Sequence, residues 1–529
     1  MQSSPRPAAP QVEKVRASRD GHTYHEAWAA RVALELLLPD TTLRAVAIEG
    51  FLVEDAAIGL SQEAHDIADL VRYRGSTEAA SATAVEVVQF KYSVAQAALP
   101  MRAAEIAKTL TKFVKTETDL IDRFGRDHVE KVVTYEIVTN RPFHPNLFSS
   151  VDRLRRGAMA ADPDEAAQSQ AVVAATGLAD EALSSFLSRL ALTGEGGALA
   201  EVNAAVHRTL ADWGGASDAL AQMRLDGLRT LVHEKAGIAG QRNNVIDRIA
   251  VLGALSVANQ NDLFPTPEAF PPAGSIIDRS LFLEIVNQVD EAGPPLLIHS
   301  AGGVGKTVLM QAIAQHYEAA GAAVVVFDCY GAGRWRDPAD SRHLPRRAFL
   351  HIANLLAGRG LCDVLLPSTN PEDLTCAFRA RLVQAARTLR RGDSAARLVL
   401  VLDAIDHAAM QAGATGSQSF AHLLLQSLLI SPVEGLAVVA SSRTERRDQA
   451  RGGALCRLFE IPAFSAGETR DLVLTREPTA TDAEVAALHT RSGATHVASM
   501  LYYAPDGLLT GQRLGPERGN WPLGPPSML

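Results

Sequence analysis

Four apolar runs punctuate the second half of the chain: PLLIH at 295–299, AAVVVF at 322–327, LVLVLD at 398–403 and GLAVVA at 435–440. Runs of this length without polar alternation suit strands buried on both faces. Apolar residues between them recur at three and four, as in VLMQAIA at 308–314, which predicts intervening helices. Strands alternating with helices predict a doubly wound, parallel-sheet α/β domain whose ligands gather at the strand carboxyl ends. The first half reads differently. ADLVRY at 68–73 and VEVVQFKY at 85–92 are strand patterns joined by a Gly/Ser/Thr/Ala-rich connection, residues 75–83, of the kind that closes a hairpin. Upstream, YHEAW at 24–28 and VALELLL at 32–38 recur at helical spacing after a start at Gly21 and His22. Residues 150–260 read as helices, with FLSRLAL at 186–192 and ALAQMRLDGL at 219–228 as the clearest patterns. Four prolines between 263 and 274 disfavour helix and predict a stiff spacer. Beyond the fourth apolar run, TDAEVAALH at 481–489 predicts one more helix, capped by Thr481 or Asp482.

Chemistry enters where the first apolar run ends. SAGGVGKT at 300–307 lies between a predicted strand and a predicted helix, the arrangement that binds phosphate through backbone N–H groups and a helix N-terminus. Gly302, Gly303 and Gly305, with Val304 among them, let those N–H groups turn inward around a β-phosphate. Lys306 supplies a charge to the β/γ oxygens and Thr307 a hydroxyl to Mg²⁺. Ser300 stands where the strict consensus has glycine. LVLVLD then ends in Asp403, which would hold Mg²⁺ through water or through Thr307. Asp406, one short turn on, is placed to orient or deprotonate an attacking water. Asp328 closes the second run, and Arg443 at the end of the fourth can aim a guanidinium at a γ-phosphate. The cofactors implied are ATP and Mg²⁺.

These residues resemble the STAND class of signalling NTPases, the NACHT-like switches of bacterial antiviral proteins and of animal and plant immune receptors. The likeness rests on the Gly-Gly-x-Gly-Lys-Thr loop, on the acidic strand ending Asp403-Ala-Ile-Asp406 and on Ser442-Arg443 after the sensor strand, and it covers roughly residues 275–490. Arg342-His343 leading into AFLHIAN at 348–354, and Gly360-Leu-Cys-Asp363 before a proline turn, look like the bacterial members. His407 stands where the class usually carries a further acid. The resemblance implies a small helical lid after the core, then a winged helix and a sensor. Here the text after Gly493 departs from that pattern. Codons for Ala494-Thr-His-Val also permit Asn-Pro-Arg two bases later, so a frameshift near Gly493 is one expectation for residues 494–529.

The predicted hairpin carries separate chemistry. Asp69 begins its first strand, and Gln89 and Lys91 share one face of the second because side chains two apart point the same way. A divalent metal held by Asp69, Gln89 and the Phe90 carbonyl would polarise a phosphodiester while Lys91 steadies the developing charge. This resembles the PD-(D/E)-x-K nucleases, in the variant with glutamine for the middle acid that is found in restriction-like effector domains of bacterial defence proteins. The resemblance implies an additional glutamate on the metal, with Glu26, Glu35, Glu49 and Glu54 as candidates.

Composition narrows the classes. A 529-residue chain, 47% apolar and 21% charged, is long enough for three or four cores. Cys329, Cys362, Cys376 and Cys456 form no close pair in sequence, which argues against a disulfide frame or a zinc module and for a reducing cytoplasm. No apolar run has bilayer length, so no membrane partner is expected. The formal charge of −9 gives no global attraction to nucleic acid, so DNA contact must be local; Arg153-Leu-Arg-Arg156 is one small basic cluster. The expected fold is α/β multidomain. Residues 1–15 are a disordered tail, 16–150 a restriction-endonuclease-like α/β domain and 151–262 its helical extension. Residues 263–274 form the linker, 275–465 the P-loop core, 466–493 a short helical lid remnant and 494–529 an irregular tail. The expected function is an NTP-regulated endonuclease effector of antiphage defence acting on double-stranded DNA. It would assemble as a homo-oligomer on activation, with a phage-derived trigger if a sensor exists. The alternative is a non-catalytic NTP-switched regulator whose front domain only docks DNA or a partner protein. A helicase-like motor is disfavoured because no helicase motif series follows the phosphate loop.

Overall fold

A computed structural model describes residues 11–56, 68–214, 218–267, 279–291, 293–495 and 497. The chain divides into two compact units, residues 1–212 with 217–259, and residues 213–216 with 260–529.

The first unit is built on a six-stranded mixed sheet. Its strands are β1 (Leu43–Ile48), β2 (Leu70–Arg74), β3 (Ala84–Lys91), β4 (Val133–Thr139), β5 (Leu190–Thr193) and β6 (Val245–Asp247), in the spatial order β5-β4-β3-β2-β1-β6. The hairpin predicted over 68–92 is β2 and β3, antiparallel, with Leu70 opposite Val88. β3, β4 and β5 run parallel, so helical crossovers join them, chief among them the helix Ala103–Phe124. Ile106, Leu110, Phe113 and Leu120 of that helix are buried against Val85, Val87, Tyr135 and Ile137. Three expectations need correction. The first helix begins at Gln11, inside the segment assigned to a tail and well before Gly21. FLSRLAL is not one helix, because Leu190–Thr193 turns into β5 at the edge of the sheet. The segment read as a helical extension contributes two of the six strands, since β6 pairs with β1. Residues 1–10 lie outside the described residues.

The second unit holds a five-stranded parallel sheet: β7 (Leu296–Ser300), β8 (Ala323–Asp328), β9 (Leu398–Asp403), β10 (Leu436–Arg443) and β11 (Arg457–Glu460), in the order β11-β7-β10-β9-β8. The four apolar runs are β7 to β10. β11 was missed because it is a short edge strand whose residues, apart from Phe459, are largely exposed, so it carries no apolar run. Both faces are covered, as double winding requires. Val399 and Val401 pack with Ile313 and Met310 of the helix Lys306–Ala319, whereas Phe327 meets Phe420 and His351 from helices on the other side. The proline-rich segment is not a free spacer where it is described. Pro265 accepts from His351 Nδ1 at 2.7 Å and Leu263 from Asn354 Nδ2 at 2.6 Å, which ties 263–265 to the helix Pro345–Gly358; residues 268–274 lie outside the described residues. The segment expected to form a lid comprises helices Ala466–Arg476 and Asp482–Arg491, the latter capped by Thr481. At the start of the predicted irregular tail, Ala494 accepts from Phe464 N at 2.9 Å and Val497 is buried in the same core; residues 498–529 lie outside the described residues.

The connection after β8 is set by a fully buried arginine. Arg342 donates to the Asp328 carbonyl at 2.7 Å and pairs with Asp340, and Gly331, at φ 57°, makes room for it. A Cβ at Gly331 would lie 1.9 Å from the Arg342 guanidinium. The pair therefore holds Asp328 at the strand end. Arg342→Ala strands the Asp340 carboxylate and is expected to cost about 3–5 kcal/mol. The check is a urea titration of the full chain, in which the transition of the second unit moves to lower denaturant.

Candidate functional site

At the carboxyl ends of β7, β9 and β10 the phosphate-loop residues come together. The loop leaves β7 after Ser300, and Gly303 and Gly305 take φ values of 83° and 84° that side chains resist, so the loop turns tightly into the helix that starts at Lys306. Lys306 Nζ donates to the loop's own Ser300 and Ala301 carbonyls at 3.1 and 2.7 Å. Those carbonyls occupy the donors that a phosphate would take. Burial lowers the Lys306 pKa to about 8, against the pull of Asp406 and Asp403. Thr307 Oγ1 donates to Asp403 Oδ2 at 2.7 Å, and Ser441 of β10 donates to the other oxygen. Burial, then the neighbouring Asp328 paired with it across β8 and β9, pushes Asp403 up to about 6. The arrangement fits a divalent cation: two buried carboxylates and a threonine hydroxyl converge beside the phosphate loop. Thr307 and Asp403 would hold Mg²⁺ there.

Ala404 adopts a left-handed conformation, φ 56°, which breaks the strand and places Asp406 on the first turn of the helix Ile405–Thr415. Asp406 is buried, and Arg446 Nη1 lies 3.6 Å from its Oδ2. Arg443 pairs in register with Ser300, and its guanidinium carbon lies 3.9 Å from where a Cβ on Gly302 would be. Arg443 thus lies beside the loop and Arg446 beside Asp406. Sequence reading named only Arg443; Arg446 follows it by three residues, and that spacing was the available signal. Where the STAND pattern has an acid, His407 packs edge-on against Trp335 and tilted against Tyr330, with ring centres 4.9 and 5.0 Å away. Burial lowers its pKa, so the imidazole is neutral at physiological pH.

A second missed residue is Arg279. It is buried, donates to the Val304 carbonyl of the loop at 3.4 Å and to the Pro462 carbonyl at 3.1 Å, and pairs with Glu468 of the lid at 3.0 Å. A cavity of about 410 Å³ opens beside this clamp, lined by Ser300, Ala301, Val304, Pro462, Ala463 and Thr495 among others.

In the first unit a different group forms where β2 starts and β3 ends. Asp69 sits one residue before β2, and its Oδ2 accepts from Phe90 N at 2.6 Å and from the Gln89 amide. Lys91 lies on the Gln89 face, with Lys108 and Lys112 of the helix Ala103–Phe124 close enough to depress its pKa once burial has lowered it. Of the candidate glutamates, Glu49 is the one brought to Asp69. Its N–H donates to the Asp69 carbonyl at 3.0 Å, and its charge adds to burial in raising the Asp69 pKa to about 7. Glu26 bonds His233 at 2.8 Å, Glu35 is drawn away into an ion pair with Arg74 at 2.6 Å, and the Glu54 side chain lies outside the described residues. His25, missed by the sequence reading, places Nδ1 3.7 Å from Asp69 Oδ1, and that buried nitrogen has no hydrogen-bond partner. Asp69, the nearby charge of Glu49 and the Phe90 carbonyl fit a divalent cation. The basic cluster at 153–156 is spent on structure: Arg153 pairs with Glu165 at 2.7 Å, Arg155 donates to the Leu187 carbonyl at 2.7 Å and Arg156 pairs with Asp152.

The NACHT domain model matches residues 295–478, so this part of the chain is a NACHT P-loop NTPase domain. No curated protein matches the chain. Among solved structures, the Walker-type ATPase of Pyrococcus abyssi is similar at 14% identity and a TM-score of 0.29, over 46% of this chain and 72% of that one. The Cap4 SAVED/CARF-domain receptor of Acinetobacter baumannii is similar at 11% identity and a TM-score of 0.27, over 80% of this chain and 95% of that one. The same receptor with the cyclic trinucleotide 2'3'3'-cAAA aligns at 11% identity and 0.27 over 64% and 66%. No helix among the described residues is long and apolar enough to cross a membrane.

Two outcomes test the nucleotide site. Lys306→Ala should abolish ATP binding measured by calorimetry, whereas Asp406→Asn should bind ATP and hydrolyse it at least about tenfold more slowly, since it removes only the group that positions water. Because Lys306 titrates near 8 without ligand and a phosphate favours its charged form, binding above that pH must recruit a proton. ATP affinity should fall between about pH 7 and about pH 9, with proton uptake visible across buffers of different ionisation enthalpy.

Proposed function

We propose that the protein is an NTP-regulated, metal-dependent endonuclease acting on double-stranded DNA in antiphage defence. ATP binding at Lys306 and Thr307 sets an assembly state, and assembly aligns copies of the Asp69 site. The observation that carries the reading is the convergence of Asp69, Gln89, Lys91 and Glu49 at one end of the β2–β3 hairpin, in a chain that also holds a NACHT NTPase domain. The defence role rests on the resemblance of the motifs to bacterial antiviral switches.

Each residue has a definable part. Asp69, Glu49 and the Phe90 carbonyl would hold a divalent cation, which when bound supplies Lewis-acid polarisation of a phosphodiester. Gln89 fixes the Asp69 carboxylate by donating to it, and can present its amide oxygen instead after a flip of the amide. Lys91, with Lys108 and Lys112 beside it, concentrates positive charge where a phosphate oxygen would gather negative charge. These three lysines give an acidic protein the local positive field that DNA contact requires. In the NTPase unit, Asp406 would orient the attacking water, Arg443 beside the loop and Arg446 beside Asp406 would stabilise the γ-phosphate, and Thr307 with Asp403 would hold Mg²⁺.

Lys91→Ala should lose DNA cleavage in the presence of Mg²⁺ or Mn²⁺ while keeping its circular dichroism and ATP affinity. Removing one such charge costs on the order of 3 kcal/mol of transition-state stabilisation, about a hundredfold in rate. Cleavage of plasmid DNA at the wild-type rate by this variant would leave the alternative, a front domain that only docks DNA or a partner.

A further inference from the structure

On the helix Gln11–Ala33, His22 and His25 are three residues apart and so lie on one face. The Glu49 carboxylate comes to meet them from the turn after β1. One ligand atom from each of the three lies within 4.8 Å of the other two. The Glu49 backbone is held in place, in the left-handed region at φ 52° and with its N–H bonded to Asp69. The imidazoles are set edge to face, ring centres 6.1 Å apart, so that their nitrogens can approach a common point without the rings colliding. His22 and Glu49 are exposed and can close the last ångström by side-chain rotation, while His25 is anchored by packing on Phe90 at 5.3 Å. His25 Nδ1 is buried without a hydrogen-bond partner.

We propose that His22, His25 and Glu49 form a cation subsite that shares Glu49 with the Asp69 site, and that its two imidazoles select a first-row transition ion, Mn²⁺ or Zn²⁺, over Mg²⁺. Imidazole nitrogen suits first-row transition ions, whereas Mg²⁺ demands oxygen ligands in near-ideal octahedral geometry and gives up its water reluctantly. Two nitrogens and one carboxylate make a three-ligand set that leaves positions open to water or to a phosphate oxygen. The inference deepens the nuclease reading by naming the metal class, and rests on that reading only for its catalytic meaning.

The test uses the full chain, stripped of metal with a chelator and without nucleotide, titrated calorimetrically with MnCl₂, ZnCl₂ or MgCl₂. Wild type should bind one equivalent of Mn²⁺ or Zn²⁺ at least about tenfold more tightly than Mg²⁺. Since losing even an outer partner of a metal ligand weakens binding about 10–100-fold, His22→Ala should weaken Mn²⁺ at least as much. His22 is exposed, so unchanged circular dichroism and ATP affinity serve as the folding control. Co²⁺ gives a second readout: its visible absorption in wild type should report nitrogen ligation and should change in His22→Ala and in His25→Gln. Equal Mn²⁺ affinity in wild type and His22→Ala, or no preference over Mg²⁺, would overturn the subsite. The two readings fail separately. Cleavage with Mg²⁺ alone and histidine-independent metal binding would sink this inference and spare the nuclease, whereas histidine-dependent Mn²⁺ binding without any DNA cleavage would uphold the subsite and sink the nuclease.

Discussion

The second unit is organised around one buried charge. Asp403 closes the interior strand β9 with its carboxylate removed from solvent and with Asp328 abreast of it on β8. An ionised carboxylate in such a place costs several kcal/mol unless it is paired. Two hydroxyls supply part of the compensation, Thr307 from the phosphate-loop helix and Ser441 from β10, and Ser441 in turn accepts from Ala404 N at 2.8 Å. Those bonds tie the loop, the acidic strand and the sensor strand to one point. Burial, with the Asp328 charge beside it, still outweighs those bonds and raises its pKa to about 6. A cation bound there completes what the hydroxyls begin.

The two sites share an electrostatic design. Each sets a carboxylate raised by burial beside a lysine lowered by burial: Asp403 with Lys306, and Asp69 with Lys91. Neither pair neutralises itself through a direct bond. Lys306 rests on the Ser300 and Ala301 carbonyls, and Asp69 rests on an amide and a backbone N–H. Charges held apart and poorly solvated are what a site needs if its ligand brings both signs, as a metal-bound phosphate does. Clusters of perturbed groups also arise in purely structural networks. Those networks close on themselves, as Arg74 does with Glu35 and Glu86 at 2.6 and 2.5 Å.

How much of this was legible in the chain depended on where each element sits. β7, β9 and β10 are interior to their sheet, and β8, though at an edge, buries most of its residues, so continuous apolar runs marked all four; β11 is an edge strand with one buried residue and left no run. In the first unit β4 carries the β-branched and aromatic alternation VTYEIVT, a signal the pattern reading could have used, whereas three-residue β6 is defined by its pairing with β1 alone. Asp69, Gln89 and Lys91 were recoverable because strand parity places them. Glu49 was not separable from Glu26 and Glu35 by spacing. What selects it is a left-handed turn and one hydrogen bond to Asp69, while Glu35 is removed by a partner 39 residues away. The prolines at 265 and 267 mark an extended segment correctly, but extended chain can be docked as well as free, and contacts from His351 and Asn354 decide which.

Arg279 shows how the lid and the phosphate loop are made to answer to one another. Its guanidinium donates to Val304 in the loop, to Pro462 after β11 and to Glu468 in the first lid helix, and its face lies 4.5 Å over the Phe464 ring. Glu468 is committed twice, since it also accepts from Ser465 N at 2.9 Å and so caps the helix it belongs to. Displacing the lid therefore breaks a charge-assisted bond, strips a helix cap and exposes a buried arginine at the same time. A switch between two lid positions is biased only by contacts that differ between them. Arg279 is where such a difference would be felt, because the same side chain meets the loop carbonyl on one side and the Glu468 carboxylate on the other. A nucleotide that shifted Val304 would change the geometry of the guanidinium directly, and would so reach the helix Ala466–Arg476 through a single residue.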